Sequence, residues 1–358
     1  MISSFTRGAL RLRLGLGLGL GLWCWALWCG AQTLKPVMTG AEAALYRGSD
    51  RYERLVEAAQ KEGVVSVYHV YPSLPSVLSE FTKKYGIKVK VWRSGSETVL
   101  QRIVTEAKAG RFDVDIVQNN SPESEAAYRE KLLQEVHSPY QSDLIAPALP
   151  VHHQWAGLTV DVWVASYNTN KYKKTDLPKT YADLQDPKWK GALGIEAFNQ
   201  SWFGTLLAEM GEEQGLKIFN TIVATNGISA RKGHSLLTML VSSGEVPLAL
   251  TTYSWIPEQL KLKGAPVDYF ALQPLIAQTS AIAMLKKAPN PNAAVLLYDF
   301  LLSDGQKILA DDHFIPTSKK IQNPFTGMTL KFVDPGEALD MQAKWQKNFE
   351  ETITKRVK

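Results

Sequence analysis

The sequence predicts an α/β protein of two lobes around a cleft. Three observations carry this. Short β-branched runs alternate with amphipathic helical patterns from residue 50 to residue 117. A second alternating set follows a proline-punctuated stretch holding Pro139, Pro147 and Pro150. An apolar run at Thr279–Leu285 then returns the chain after the second set has ended. Strand–helix–strand order is the sequence form of a helix-covered, largely parallel sheet. Two such sets with more than one crossover imply a hinge and an interlobe cleft, where a ligand binds by default.

The elements follow in order. Asp50–Glu62 is predicted helical, with Tyr52, Leu55 and Ala58 at helical spacing and Gly63 as its stop. Val64–Tyr68 is a strand, Val77–Tyr85 a helix closed by Gly86, and Ile87–Trp92 a strand. Glu97–Ala109 is a helix stopped by Gly110, and Asp113–Val117 a strand. In the second set, Val160–Tyr167, Ala192–Ile195, Ile228–Arg231 and Val246–Thr251 read as strands. Ser201–Met210, Glu213–Thr225 and Ser235–Val241 read as helices between them. Pro291–Leu302, Gly305–Ala310 and Met341–Thr354 are helices after the return. The expected division is 1–31 as a signal peptide, 32–155 with 276–330 as one lobe, and 156–275 with 331–358 as the other. Crossovers near Gly157–Val160 and Gln273–Thr279 are the expected hinge.

The N-terminus has its own logic. Arg7, Arg11 and Arg13 precede an uncharged run from Leu14 to Leu34 that ends in small residues. A basic start, an apolar centre and Cys29 and Ala31 at the −3 and −1 positions describe a secretory signal cleaved after Ala31. Trp28 before Cys29 argues against lipid attachment. Both cysteines lie in this segment, so the exported chain has no thiol and no disulfide. The expected destination is the periplasm. The formal charge of +5 falls to +2 without the three arginines, with 37 basic against 35 acidic side chains. That balance excludes a dedicated nucleic-acid binder.

Local catalytic signatures are missing. The chain has no GxSxG, no HExxH, no phosphate-binding GxxxxGK[ST] and no GxGxxG. Adjacent His152 and His153 diverge on either a strand or a helix, which makes no two-histidine metal site. Neither a catalytic role nor a resident cofactor or metal is expected.

Polar clusters placed just after strands remain. Arg93-Ser94-Gly95-Ser96 opens a helix, where free N–H groups and the helix dipole favour an anion. Asn199-Gln200-Ser201 and Arg231-Lys232-Gly233-His234-Ser235 repeat the arrangement in the second set. Each is also an ordinary N-cap. Three in one protein point to an anion between lobes. His69 and Tyr71 follow the first strand, Asn119 and Asn120 the third, and Tyr253 and Trp255 the strand ending at Thr251. Trp155 and Trp163 read as packing residues.

Several stretches together resemble a family. They are VVSVYH, FTKKYGIKVKVWRSGSETVLQRI, DVDIVQNN, WVASYNTNKY, YADLQDPKWKGALGI, LVSSGEVPLALTTYSW and AIAMLKKAPNPNAAVLLYDFLLSDGQKILA. Their order, over about residues 60 to 330, resembles the ABC-transporter solute-binding proteins of the ferric-iron-binding type. The resemblance implies a monomeric, non-catalytic type 2 periplasmic binding protein. Such a protein closes on a small-molecule ligand and hands it to an ABC permease in the inner membrane. Presentation to a sensor is the other implied outlet.

Carried over residue by residue, the family's iron site is incomplete. Its histidine falls near Pro72, beside His69 and Tyr71. Its carboxylate falls at Asn119 and Asn120. Its tyrosine pair reads Tyr253-Ser254. Ferric iron needs several anionic oxygen donors. Its companion-anion segment matches Asn199-Gln200-Ser201 and His234-Ser235. The expected ligand is therefore a small organic anion, a carboxylate or phosphate ester. Arg93 or Arg231 would supply counter-charge, and Tyr253 and Trp255 would pack on the apolar part. The alternative is ferric iron on His69 or Tyr71, with Tyr253 and an exogenous chelator.

Overall fold

A computed structural model describes residues 39–355. The expected signal peptide lies outside the described residues. Helix α1 (Gly40–Leu45) and helix α2 (Arg51–Glu62) precede β1 (Val64–His69), α3 (Leu74–Tyr85), β2 (Lys88–Arg93), α4 (Ser96–Lys108) and β3 (Ile116–Asn120). There follow α5 (Ser121–Arg129), β4 (Leu133–Gln134) and the long β5 (Ala156–Asn168). Next come β6 (Leu193–Glu196), α6 (Gln200–Met210), α7 (Glu212–Asn226), β7 (Ser229–Arg231), α8 (His234–Ser243), β8 (Leu248–Tyr253), α9 (Trp255–Leu262) and β9 (Val267–Phe270). The chain returns through β10 (Leu275–Leu285), α10 (Pro291–Leu302), α11 (Asp304–Asp311), β11 (Ile315–Pro316) and β12 (Leu330–Phe332). It ends in α12 (Pro335–Asp340), α13 (Gln342–Phe349) and a π-turn at Glu350–Thr354.

The strands run in the order β2-β1-β3-β10-β5-β8-β6-β7. The parallel sets β2-β1-β3 and β8-β6-β7 stand at the two ends, joined by the antiparallel pair β10 and β5. Strand β5 changes partner along its length. Ala156–Val162 pairs with β10, and Trp163–Tyr167 pairs with β8. Both long strands are buried throughout, which fits their near-continuous apolar and small-residue runs.

Helix α10 is buried on every side, matching a segment with little amphipathic contrast. Its polar ends are provided for. Glu62 accepts the Ala293 amide at 2.7 Å and the Asn292 amide at 3.1 Å, at the start of α10. Asp115 accepts from the Ser66 and Asn290 amides at 2.7 and 2.6 Å, tying β1 and β3 to the same helix start. Arg51 of α2 forms a buried ion pair with Asp299. On the other half, Gly204 lets the ring of Trp345 lie against α6; a Cβ there would sit 2.0 Å from that ring.

Most expected elements are present, with ends shifted by a few residues. Eight were not expected: α1, α5, α9, α12, β4, β9, β11 and β12. The face that α5 buries carries Ser121, Pro122, Ser124 and Ala127, so it shows no large apolar stripe. Helix α9 carries Pro257 in its first turn, which reads as a breaker in sequence but is compatible with a helix start. The expected C-terminal helix begins at the right place but ends as a π-turn, preceded by the short α12.

Candidate functional site

The ends of the parallel strands converge on one cavity of about 560 Å³. It lies beyond the carboxyl ends of β1, β2, β3, β6, β7 and β8, where open α/β sheets place their ligands. Its volume suits a small organic molecule.

One wall is the start of α4. Arg93, Ser94, Gly95 and Ser96 all line the cavity. Asn119 and Asn120 hold this turn in place. The Asn119 amide donates to the Ser96 carbonyl at 3.0 Å, and the Asn120 amide to Ser96 Oγ at 2.8 Å. With Oγ accepting from Asn120, the Ser96 hydroxyl proton is free for a ligand. The opposite wall is the start of α6, where Asn199, Gln200 and Ser201 line the cavity. Asn199 is 4% exposed, yet its Nδ2 has no hydrogen-bond partner.

Helix α8 also opens onto the cavity, but its N-terminus is already filled. Glu196 accepts the Gly233 amide at 3.0 Å and the Phe198 amide at 2.6 Å. An internal carboxylate thus takes the place of an external anion there. His234 Nδ1 donates to the Thr251 carbonyl at 3.0 Å, and its ring lies 4.0 Å from that of Tyr253. Burial lowers its pKa, so the imidazole is neutral with Nε2 as an acceptor.

The floor is polar and aromatic. Asp161, wholly buried on β5, accepts from the Tyr71 hydroxyl at 2.8 Å and from Trp255 Nε1 at 3.2 Å. Burial raises its pKa to about 7 despite both bonds. Gln278 Nε2 donates to the Tyr253 hydroxyl at 2.8 Å. Burial, with Asp161 close by, pushes both phenols well above their ordinary range, so they are neutral hydroxyls. Trp163, 4% exposed, packs on Tyr253 with centroids 5.4 Å apart, and its Nε1–H has no partner. Glu123, in the first turn of α5, lines the cavity with Oε2 buried and unpartnered. Burial raises its pKa to about 7, and Glu97 pushes the same way.

Thirteen of the sixteen expected residues line this cavity. Three do not. His69 is buried with Nδ1 against the Tyr71 carbonyl at 2.9 Å, and burial lowers its pKa. Asn119 is turned into the β3–α4 junction. Arg231 points away to Glu245 at 3.3 Å, while its neighbour Lys232, one residue past the end of β7, lines the cavity. Glu123, Trp163, Glu196, Lys232 and Gln278 are among the lining residues not anticipated as site residues. Asp161 behind them was missed too, although a lone carboxylate in the apolar run LTVDVWVA was a usable signal. No cluster of three or more His, Cys, Asp or Glu side chains able to hold a metal occurs among the described residues. No helix among them is long and apolar enough to cross a membrane.

Two parallel-stranded halves joined by long crossing strands, with a cavity at the strand ends and buried donors left free, define a ligand-capturing protein. The chain belongs to the bacterial extracellular solute-binding protein family, whose model matches residues 76–328. Among curated relatives, iron uptake protein A1 of a Synechocystis strain is 27% identical over 261 residues, covering 66% of this chain and 70% of that one. Among solved structures, AfuA of Actinobacillus pleuropneumoniae with exogenous fructose-6-phosphate aligns with a TM-score of 0.71 at 20% identity, covering 82% and 99% of the two chains. Iron-bound HitA of Pseudomonas aeruginosa aligns with a TM-score of 0.66 at 20% identity, covering 79% and 99%. The fold is the two-lobed, type 2 periplasmic binding protein fold.

Proposed function

We propose that the protein is the periplasmic solute-binding component of an ABC importer and captures a small organic anion, a carboxylate or phosphate ester. The observation that carries this is the pair of buried, unpartnered donors, Asn199 Nδ2 and Trp163 Nε1, in a cavity onto which α4 and α6 open. An unmet buried donor costs about 1–3 kcal/mol, and a ligand oxygen recovers it. Helix N-termini add partial positive charge on both walls. Arg93 and Lys232 supply the counter-charge at the rim, with Lys232 in the place expected of Arg231. Ser96 donates its free hydroxyl proton. The sugar phosphate on AfuA supports an ester of this kind.

The working unit is a monomer that delivers to an inner-membrane permease after its signal peptide is removed. Residues 32–155 with 276–330 form one lobe, and 156–275 with 331–358 the other. The lobes close about the two β crossovers, so small-angle scattering should show compaction with ligand.

Native mass spectrometry of the purified protein, followed by denaturation and identification of the released molecule, is the test. An organic acid or phosphate ester in the mass difference supports the reading. Bound iron without such a molecule overturns it. Ferric iron is the second reading, favoured by the relatives named for iron and by Tyr71 and Tyr253 on one cavity. A purple phenolate-to-iron band on adding ferric citrate would support that reading, and no colour at stoichiometric iron would refute it.

A further inference from the structure

The deep part of the cavity carries the wrong charge for a purely anionic guest. Glu123 and Glu196 line it and Asp161 lies behind, while both lining cations, Arg93 and Lys232, are exposed at the rim. Two of these carboxylates are already served. Glu196 accepts two backbone amides, and Asp161 accepts Tyr71 and Trp255. Glu123 is the exception. Its Oε2 is buried without a partner, and no ion pair to it exists among the described residues. Its own backbone amide serves the carboxyl, but a buried carboxylate oxygen left without a partner is costly and calls for a donor or a cation. Aromatic rings line the same cavity: Tyr71, Trp163, Tyr253 and Trp255, all buried. Such faces attract a cation. A metal ion would need further anionic ligands, which the described residues do not cluster.

We infer that the solute is zwitterionic, with an oxyanion at the α4 and α6 N-termini and a protonated amine at Glu123 among the aromatic rings. This rests on the proposed capture of an organic anion and adds the second charged end. Glu123 is then a specificity residue. It accepts the ammonium proton, while Trp163 Nε1 and Asn199 Nδ2 donate to ligand oxygens. A carboxylate–ammonium contact out of water exceeds a neutral hydroxyl contact by roughly 1.5–3 kcal/mol, or about 10- to 100-fold.

The test is calorimetric titration of the protein, purified from the periplasm and freed of ligand, with two matched series. These are ω-aminoalkyl phosphates and ω-hydroxyalkyl phosphates of two to six carbons, with inorganic phosphate and simple alkylamines alongside. The expected result is that one chain length binds about 10- to 100-fold tighter as the amine than as the alcohol. In Glu123→Gln that preference should collapse to about threefold or less. Glu123→Gln should fold, since it removes an unpartnered buried charge, and thermal melting of the variant checks this. Equal binding of both series by the wild type overturns the inference but leaves the anion reading standing. A preference that survives in folded Glu123→Gln also overturns it. If no phosphate-bearing probe binds, the phosphate-ester form of both readings falls.

Discussion

Replacing Asp161 by Asn should make the protein more stable at neutral pH and change how stability depends on pH. Asp161 is wholly buried on β5. Burial raises its pKa from 3.8 to about 7. The sign follows from proton linkage. Between the unfolded and folded values the native state holds a proton that the unfolded state has lost. This contribution is absent below about pH 4, becomes increasingly destabilising as pH rises toward 7, and levels off above it. A shift of about three units corresponds to at most roughly 4 kcal/mol. Asparagine keeps the geometry, since its carbonyl accepts from Trp255 and its amide donates to Tyr71, which then donates to Thr159 at 2.7 Å. Urea unfolding of both proteins at pH 4.5, 6, 7.5 and 8.5 reads the difference directly. Subtracting the variant from the wild type removes the similarly raised carboxyls Glu62, Asp115, Glu123 and Asp299 from the comparison. The gap should widen by a few kcal/mol in favour of the variant from acid to alkaline pH. A gap constant within about 1 kcal/mol would refute the picture of a destabilising buried carboxyl.

Other perturbations separate packing from binding. Gly204→Ala puts a methyl against the Trp345 ring and should lower stability by about 1–3 kcal/mol in urea titrations, leaving ligand stoichiometry intact. Arg51→Met strips the buried partner from Asp299 and should cost about 3–5 kcal/mol, read by the same titrations. Lys232→Ala should slow ligand association in stopped-flow fluorescence and flatten its salt dependence, whereas Arg231→Ala should change the rate less than about twofold.

Local signals in the chain announced much of this molecule. A β-branched run closed by glycine or serine marks a strand end, and serine before an amphipathic run marks a helix start. Both are properties of a few adjacent residues, so the strand–helix order and the polar turns at Arg93–Ser96 and Asn199–Ser201 were legible. So was their convergence, because parallel strands carry their carboxyl ends to one side of a sheet. Tertiary structure decided which neighbour faces inward. Arg231 and Lys232 are adjacent and chemically alike, and only the folded chain turns one to Glu245 and the other to the cavity. It also decided the negative depth of the site. Asp161, Glu123 and Glu196 come from a central strand, a short helix of small residues and a strand end, far apart in sequence. Burial is a property of everything packed around a group, not of its neighbours in the chain. A carboxylate that would be an ordinary solvated charge in an isolated peptide therefore becomes, at Glu123, a cavity-lining group whose pKa burial raises to about 7.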